Sequence, residues 1–135
     1  MFTKEIKIRV RYAETDRMGY SYYGNYATYY EVARVEAMRE IGMSYKQLED
    51  NGVLLPVTEF TIKYKKPAYY DDEIRVLVSI KEIPKVRFKF YYETRNSNDE
   101  LLNTGFTELI FVNKKTGRPM QIPEELESLM KLKIE

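Results

Sequence analysis

Residues 24–42 read GNYATYYEVARVEAMREIG, and the spacing of their apolar residues decides the fold. These residues recur at steps of three and four, the period of a helix with one buried face. Gly42 is typical of a helix end, because glycine readily adopts the left-handed conformation that closes a helix. The pattern predicts a long helix from about Gly24 to Ile41 that packs closely on a sheet. Its buried stripe would be Tyr26, Tyr30, Ala33, Ala37 and Ile41.

The sequence on either side of this helix shows mainly period-two alternation, which is typical of half-buried strands. One such run precedes the helix, and residues 13–23 then form an extended loop. A short second helix follows, opened by a capping box at Ser44. Pro123 begins a C-terminal helix over residues 124–132. The predicted strands are 4–12, 60–65, 74–80, 86–93 and 101–112.

This order of elements predicts an α+β fold with one long helix packed on a mostly antiparallel sheet. The strands after the helices are joined largely by short turns, and no repeat or low-complexity segment interrupts the chain. A length of 135 residues fits a single core. We therefore expect one domain covering residues 1–135.

The composition excludes several kinds of chemistry. The chain has no cysteine and no histidine, so disulfides, Ser-His-Asp triads, Cys-His pairs and imidazole or thiolate zinc sites are excluded. Acid–base work must fall to Asp, Glu, Tyr or Lys. A net charge of +1 argues against a nucleic-acid binder. No apolar run approaches the roughly 18 residues of a membrane span, and no secretory signal is recognisable, so we expect a cytoplasmic protein.

The segment between the first strand and the long helix carries the strongest functional signal. Residues 11–19 read RYAETDRMG and place Asp16 a few residues before the helix begins. Free backbone N–H groups at a helix N-terminus carry partial positive charge. A carboxylate beside such donors supplies both halves of an acyl-transfer site, a base or nucleophile and an oxyanion hole. From these residues alone, a purely structural loop or capping role for Asp16 is the more common use.

The same segment resembles the 4-hydroxybenzoyl-CoA thioesterase family, and within it the YbgC-type acyl-CoA thioesterases. The resemblance rests on RYAETDRMG, on YYGNY at 22–26 and on YEVARVE at 30–36. It continues in residues 42–45, 64–72 and 103–105, so it spans nearly the whole chain. It implies a hotdog fold, in which an antiparallel sheet wraps around a long central helix.

The resemblance also implies a function and a site. The reaction would be hydrolysis of an acyl-CoA thioester, with Asp16 as nucleophile or general base. Backbone N–H groups near Tyr23 and Gly24 would polarise the thioester carbonyl. No metal or other cofactor would take part, since coenzyme A belongs to the substrate. The active sites would lie at the dimer interface of a homodimer or homotetramer.

One position departs from the family pattern. Many members carry His seven residues after this Asp, where the present chain has Tyr23. A backbone donor survives that change, whereas an imidazole acid–base role does not. We favour a dispensable His over substitution by the Tyr23 hydroxyl or a slow or inactive protein.

Further residues are candidates for substrate binding, each with a structural alternative. Asn25 could orient the loop or the acyl carbonyl, or cap the helix. Tyr22 and Tyr26 could line the acyl channel, although packing is the commoner role. Glu59 could be a second carboxylate near the thioester, or a solvated residue on a strand. The phosphates of coenzyme A are expected to contact cationic side chains of the protein. The candidates, all on predicted strand faces, are Lys63, Lys65, Lys66 and Arg87.

Two rival functions remain open from the sequence. Tyr23 in place of His motivates a non-catalytic module that binds acyl thioesters. A thioesterase acting on acyl carrier protein is the closer alternative.

Overall fold

The computed structural model describes residues 1–134, which form two sheets and three helices. A short 3-10 turn, Tyr12–Glu14, follows the first strand. The strands are β1 (Phe2–Arg9), β2 (Val53–Leu54), β3 (Val57–Tyr64), β4 (Glu73–Ile80), β5 (Arg87–Arg95), β6 (Leu101–Ile110) and β7 (Val112–Asn113). The helices are α1 (Asn25–Ile41), α2 (Tyr45–Asp50) and α3 (Glu124–Lys131). The α+β expectation is confirmed.

The main sheet has five strands in the order β1-β4-β5-β6-β3, and every neighbouring pair is antiparallel. Strand alternation directs one face of each inner strand into the core. On β4 the inward residues are fully buried, and Phe88, Phe90 and Tyr92 continue this face on β5. The edge strand β3 pairs only with β6, so its second edge has no partner among residues 1–134.

Helix α1 lies on the inward face and buries the predicted stripe. Tyr30, Ala33 and Ala37 have no exposed surface. The Tyr30 ring stacks on Tyr92 with a centroid distance of 4.0 Å. Gly42 adopts a φ of 118° and closes the helix as predicted. The capping box between Ser44 and Gln47, which opens α2, is also present.

The structure corrects the predicted ends of two strands. The first strand was expected to run to Tyr12, but β1 ends at Arg9 and the Tyr12 side chain is 78% exposed. The reason is local: the Glu14 carboxylate accepts the Arg11 N–H and bends the chain into the 3-10 turn.

The last strand was expected to run from 101 to 112, but β6 stops at Ile110. The chain then enters β7, which pairs with β2 in a second, two-stranded sheet. The side chain of Asn113 accepts the N–H groups of Lys115 and Thr116 and so turns the chain.

Among residues 1–134, none of the helices combines the length and apolar character required to cross a bilayer.

Candidate active site

A cavity of about 270 Å³ opens beside the N-terminus of α1. It brings together five residues that the sequence marked as candidates: Asp16, Tyr23, Tyr26, Lys65 and Lys66. The rest of the lining comes from the Asp16 loop, from the end of β3 and from the segment that follows it. These residues are Met18, Tyr20, Ser21, Tyr64 and Pro67.

The loop around Asp16 is a tight, internally bonded turn. The Asp16 N–H donates to the Tyr20 carbonyl at 3.0 Å, and the Gly19 N–H donates to the Asp16 carbonyl at 3.0 Å. Gly19 adopts a φ of 84°, which glycine accepts without strain. One carboxylate oxygen of Asp16 accepts the Met18 N–H at 2.9 Å. The other accepts no hydrogen bond from residues 1–134, so it is free to meet a ligand.

Free backbone donors lie at the start of α1, where Tyr23 and Tyr26 line the same cavity as Asp16. Gly24 is the N-cap residue, and no side chain caps the helix. The N–H groups of Asn25 and Tyr26 bond back to the preceding turn. Within the described chain, the N–H groups of Tyr23 and Gly24 have no acceptor. Such groups at a helix N-terminus attract developing negative charge.

Tyrosine rings form the inner wall of the cavity. Burial raises the pKa of Tyr26, so this hydroxyl stays protonated at neutral pH. The Tyr64 ring packs against Tyr26 and Tyr23, with centroid distances of 5.8 and 6.3 Å. Its hydroxyl donates to the Tyr23 carbonyl at 3.1 Å. Because that carbonyl and the Gly24 N–H belong to one peptide unit, Tyr64 fixes the orientation of the donor.

Two exposed lysines stand at the cavity wall after β3. Lys66 pairs with Glu100, while Lys65 has no ion-pair partner among residues 1–134. No group of three or more Asp or Glu side chains in this part of the chain could hold a metal ion. The cavity lining therefore combines the Asp16 carboxylate, two lysines and Tyr23, whereas Gly24 follows Tyr23 in the chain and is outside the lining.

The remaining predicted residues lie outside the cavity lining. Tyr22 is exposed, and its ring packs on Tyr23 at 4.7 Å between centroids. Asn25 does not cap the helix; its side-chain amide donates to the Glu14 carbonyl at 2.6 Å and orients the loop. Glu59 contacts Thr61 on the sheet face that points away from α1.

The sequence reasoning missed Glu14. Partial burial acts to raise the pKa of the Glu14 carboxyl. Hydrogen bonds from Arg11 and from the Tyr29 hydroxyl outweigh this effect and hold the pKa below its usual value. The sequence carried one signal, the spacing of three between Arg11 and Glu14.

Comparison with known proteins shows the family to which the chain belongs. Residues 10–129 match the model of the thioesterase-like superfamily. YneP of Bacillus subtilis, provisionally named an acyl-CoA thioesterase, is 35% identical over 121 residues, covering 90% of this chain and 88% of its own. A 1,4-dihydroxy-2-naphthoyl-CoA hydrolase from Thermosynechococcus vestitus is 26% identical, over 90% of this chain and 84% of its own.

Among solved structures, a DHNA-CoA thioesterase from Staphylococcus aureus superposes with a TM-score of 0.90 at 37% identity. The superposition covers 98% of this chain and 91% of that one. The hotdog fold is thereby confirmed, and with it the class of enzyme, a thioester hydrolase. The chain belongs to the thioesterase-like superfamily. The narrower 4-hydroxybenzoyl-CoA grouping stays a resemblance.

Proposed function

We propose that this protein hydrolyses the thioester of an acyl-coenzyme A to the free acid and coenzyme A. The observation that carries the proposal is the cavity at the start of α1. There Asp16, one of whose carboxylate oxygens accepts no hydrogen bond from residues 1–134, and Tyr23 border the same space of about 270 Å³. The named activities of the relatives support an acyl-CoA substrate.

In the proposed reaction, the thioester carbonyl accepts hydrogen bonds from the backbone N–H groups of Tyr23 and Gly24. Asp16 either attacks the carbonyl carbon or removes a proton from an attacking water. The negative charge that develops on the carbonyl oxygen is stabilised by the helix N-terminus. The C–S bond then breaks, and coenzyme A leaves as the thiol after protonation. In the attack route, water releases the acid from an acyl-Asp16 intermediate.

This scheme needs no imidazole at position 23. The donor is the main chain, so a tyrosine there preserves it. Tyr23 carries an exposed side chain packed against Tyr64, and its carbonyl is held by the Tyr64 hydroxyl. Tyr26 forms part of the acyl pocket in this scheme, and Lys65 meets the coenzyme A phosphates from the cavity wall.

We also propose that residues 1–135 act as one domain in a cytoplasmic homodimer or homotetramer. The support is the edge strand β3, whose second edge pairs with none of residues 1–134. Val57, Phe60 and Tyr64 on this strand are 47, 40 and 47% exposed. Unpaired edges with exposed apolar residues pair readily with another chain. Pairing of two β3 strands would bring a second protomer beside the cavity.

Release of free thiol from a substrate panel tests the function. The panel contains short-chain, long-chain and aryl acyl-CoA thioesters, together with an acyl carrier protein thioester. We expect turnover by the wild type and a fall of at least about 100-fold in kcat for Asp16→Asn, the scale of a lost acid–base group. Asp50→Asn, an exposed carboxylate on α2 bonded to Lys46, is the matched control and should behave as wild type.

Three outcomes would contradict parts of the proposal. Stoichiometric acyl-CoA binding without turnover would favour a non-catalytic binding module. Turnover of the acyl carrier protein thioester alone would show that the substrate is an acyl carrier protein thioester and not an acyl-CoA. Full activity of a folded Asp16→Asn variant would remove Asp16 from the mechanism.

A further inference from the structure

Glu14 is the centre of a hydrogen-bond network that joins the Asp16 loop to α1. Its carboxylate accepts the Arg11 N–H at 2.8 Å, the Arg11 guanidinium at 3.0 Å and the Tyr29 hydroxyl at 3.1 Å. Its main-chain carbonyl accepts the Tyr22 N–H at 2.8 Å and the Asn25 amide at 2.6 Å. One residue thus bonds to the loop on one side and to the start of α1 on the other.

Tyr29 carries this network to the wall of the cavity. The side chain is only 2% exposed and lies within α1, a little more than one turn after Asn25. Its hydroxyl oxygen lies 3.0 Å from the hydroxyl of Ser21, which lines the cavity. Burial raises the pKa of Tyr29 to about 12, so the hydroxyl keeps the proton that it donates to Glu14 at neutral pH.

The two halves of the proposed site come from different segments. Asp16 belongs to the loop, two residues after Glu14, whereas the backbone donors at Tyr23 and Gly24 belong to the start of α1. Reaction requires both to reach one carbonyl group, with reacting atoms about 3–3.5 Å apart. The bonds of Glu14 and Tyr29 are contacts that fix one segment against the other.

We propose that Glu14 and Tyr29 are positioning residues that hold the Asp16 loop at the distance from the helix N-terminus that the reaction needs. This inference rests on the proposed thioesterase function. Neither residue lines the cavity, so neither is expected to touch the substrate. Loss of the network should therefore lower kcat and leave KM nearly unchanged.

A pair of tyrosine-to-phenylalanine variants separates positioning from general stability. Tyr29→Phe removes the hydroxyl that contacts Glu14 and Ser21. Tyr92→Phe removes an equally buried hydroxyl that lies 2.7 Å from Thr107 within the sheet, away from the loop. With acyl-CoA as substrate and folded fractions matched by circular dichroism, we expect kcat to fall about tenfold for Tyr29→Phe, since small misplacements of reacting groups are costly. Tyr92→Phe should stay within about twofold, and KM within about twofold in both.

Two substitutions of Glu14 give a graded second test. Glu14→Gln keeps the main-chain bonds and an acceptor for Tyr29 but loses the charge that pairs with Arg11. Glu14→Ala removes every side-chain bond. The expected order of kcat is wild type, then Gln, then Ala, at constant KM. If Glu14→Ala does not fold, the comparison of Tyr29→Phe with Tyr92→Phe decides.

The outcomes are distinguishable. An active wild type whose Tyr29→Phe and Tyr92→Phe variants have equal kcat values would overturn the positioning role alone. A change in KM in place of kcat would do the same, because it would mean a binding role. A wild type without thioesterase activity would overturn the proposed function and the inference together.

Discussion

Gly105 on β6 lies where the fold leaves no room for a side chain, and replacing it by alanine should destabilise the protein. A Cβ atom at this position would lie 2.2 Å from Cε2, 2.5 Å from the hydroxyl oxygen and 2.7 Å from Cζ of Tyr30. Ordinary contact begins near 3.4 Å, so the ring would have to retreat by about 1.2 Å. Tyr92, stacked on the ring at 4.0 Å, and the 2.6 Å hydrogen bond from Tyr30 to Asn103 oppose that movement.

The expected cost follows from what the ring would lose. Overpacking of a buried site costs roughly 1–3 kcal/mol. A disturbed aromatic pair adds about 0.5–1.5 kcal/mol, and a weakened buried hydrogen bond adds about 1 kcal/mol. Alanine loses less conformational entropy on folding than glycine does, which offsets about 0.5 kcal/mol of this cost. We expect Gly105→Ala to lower the free energy of unfolding by about 3 kcal/mol, which lowers the Tm by about 10 °C at this chain length.

Urea unfolding followed by circular dichroism, at one protein concentration, measures this cost. A double-mutant cycle with Tyr30→Leu identifies its origin, because leucine lacks the three atoms that the new Cβ would meet. In the Tyr30→Leu background, Gly105→Ala should be neutral or slightly stabilising. An equal loss of stability in both backgrounds, or no loss in the wild-type background, would refute the steric explanation.

Four further predictions concern the site and the edge strand. Gly24→Ala should keep kcat within about threefold, because the N–H remains and the new Cβ meets only an exposed, movable tyrosine ring; thiol release measures this. Tyr64→Phe should lower kcat about threefold to tenfold in the same assay, since it removes the 3.1 Å bond that orients the Tyr23 carbonyl. The lowered pKa of Glu14 contributes stability that is complete above its ordinary value of 4.5 and is lost as the pH falls through the lower folded value. The advantage of wild type over Glu14→Gln in urea unfolding should therefore shrink below pH 4.5. Val57→Asp should weaken self-association in sedimentation experiments, because it places a charge on the unpaired edge of β3.

Much of the fold was predictable because its signals are local. The buried residues from Tyr26 to Ile41 recur with the helical period, and Gly42 ends the helix because glycine readily adopts a positive φ. The alternation of Phe88, Phe90 and Tyr92 likewise follows from the geometry of one strand. Such features depend on near neighbours in sequence and need no knowledge of the tertiary structure.

The features that were missed depend on distant partners or on single side chains. The pairing of β2 with β7 joins two residues from each of two distant segments, too few for any period to show. The 3-10 turn at Tyr12–Glu14 depends on one carboxylate that accepts one N–H. Neither leaves a repeated pattern in the sequence.

The site divides in the same way. Asp16 and the helix start are close in sequence, so their closeness in space could be predicted. Tyr64 and Pro67 reach the cavity because β3 pairs with β6. The sequence alone does not specify that pairing. The orientation of Glu59 follows from the alternation of side chains along a strand. Because Phe60 points inward, its neighbour Glu59 points away from the cavity.

A crystal structure of the Asp16→Asn protein with an intact acyl-CoA bound would show whether residue 16 and the start of α1 hold the same thioester carbonyl. We predict that the thioester oxygen lies about 3 Å from the backbone nitrogen of Tyr23 or Gly24. The side chain at position 16 should lie within about 3.5 Å of the carbonyl carbon, directly or through one water. A bound thioester whose carbonyl group lies beyond hydrogen-bonding distance of these backbone nitrogens and of residue 16, in either protomer, would rule out the proposed site.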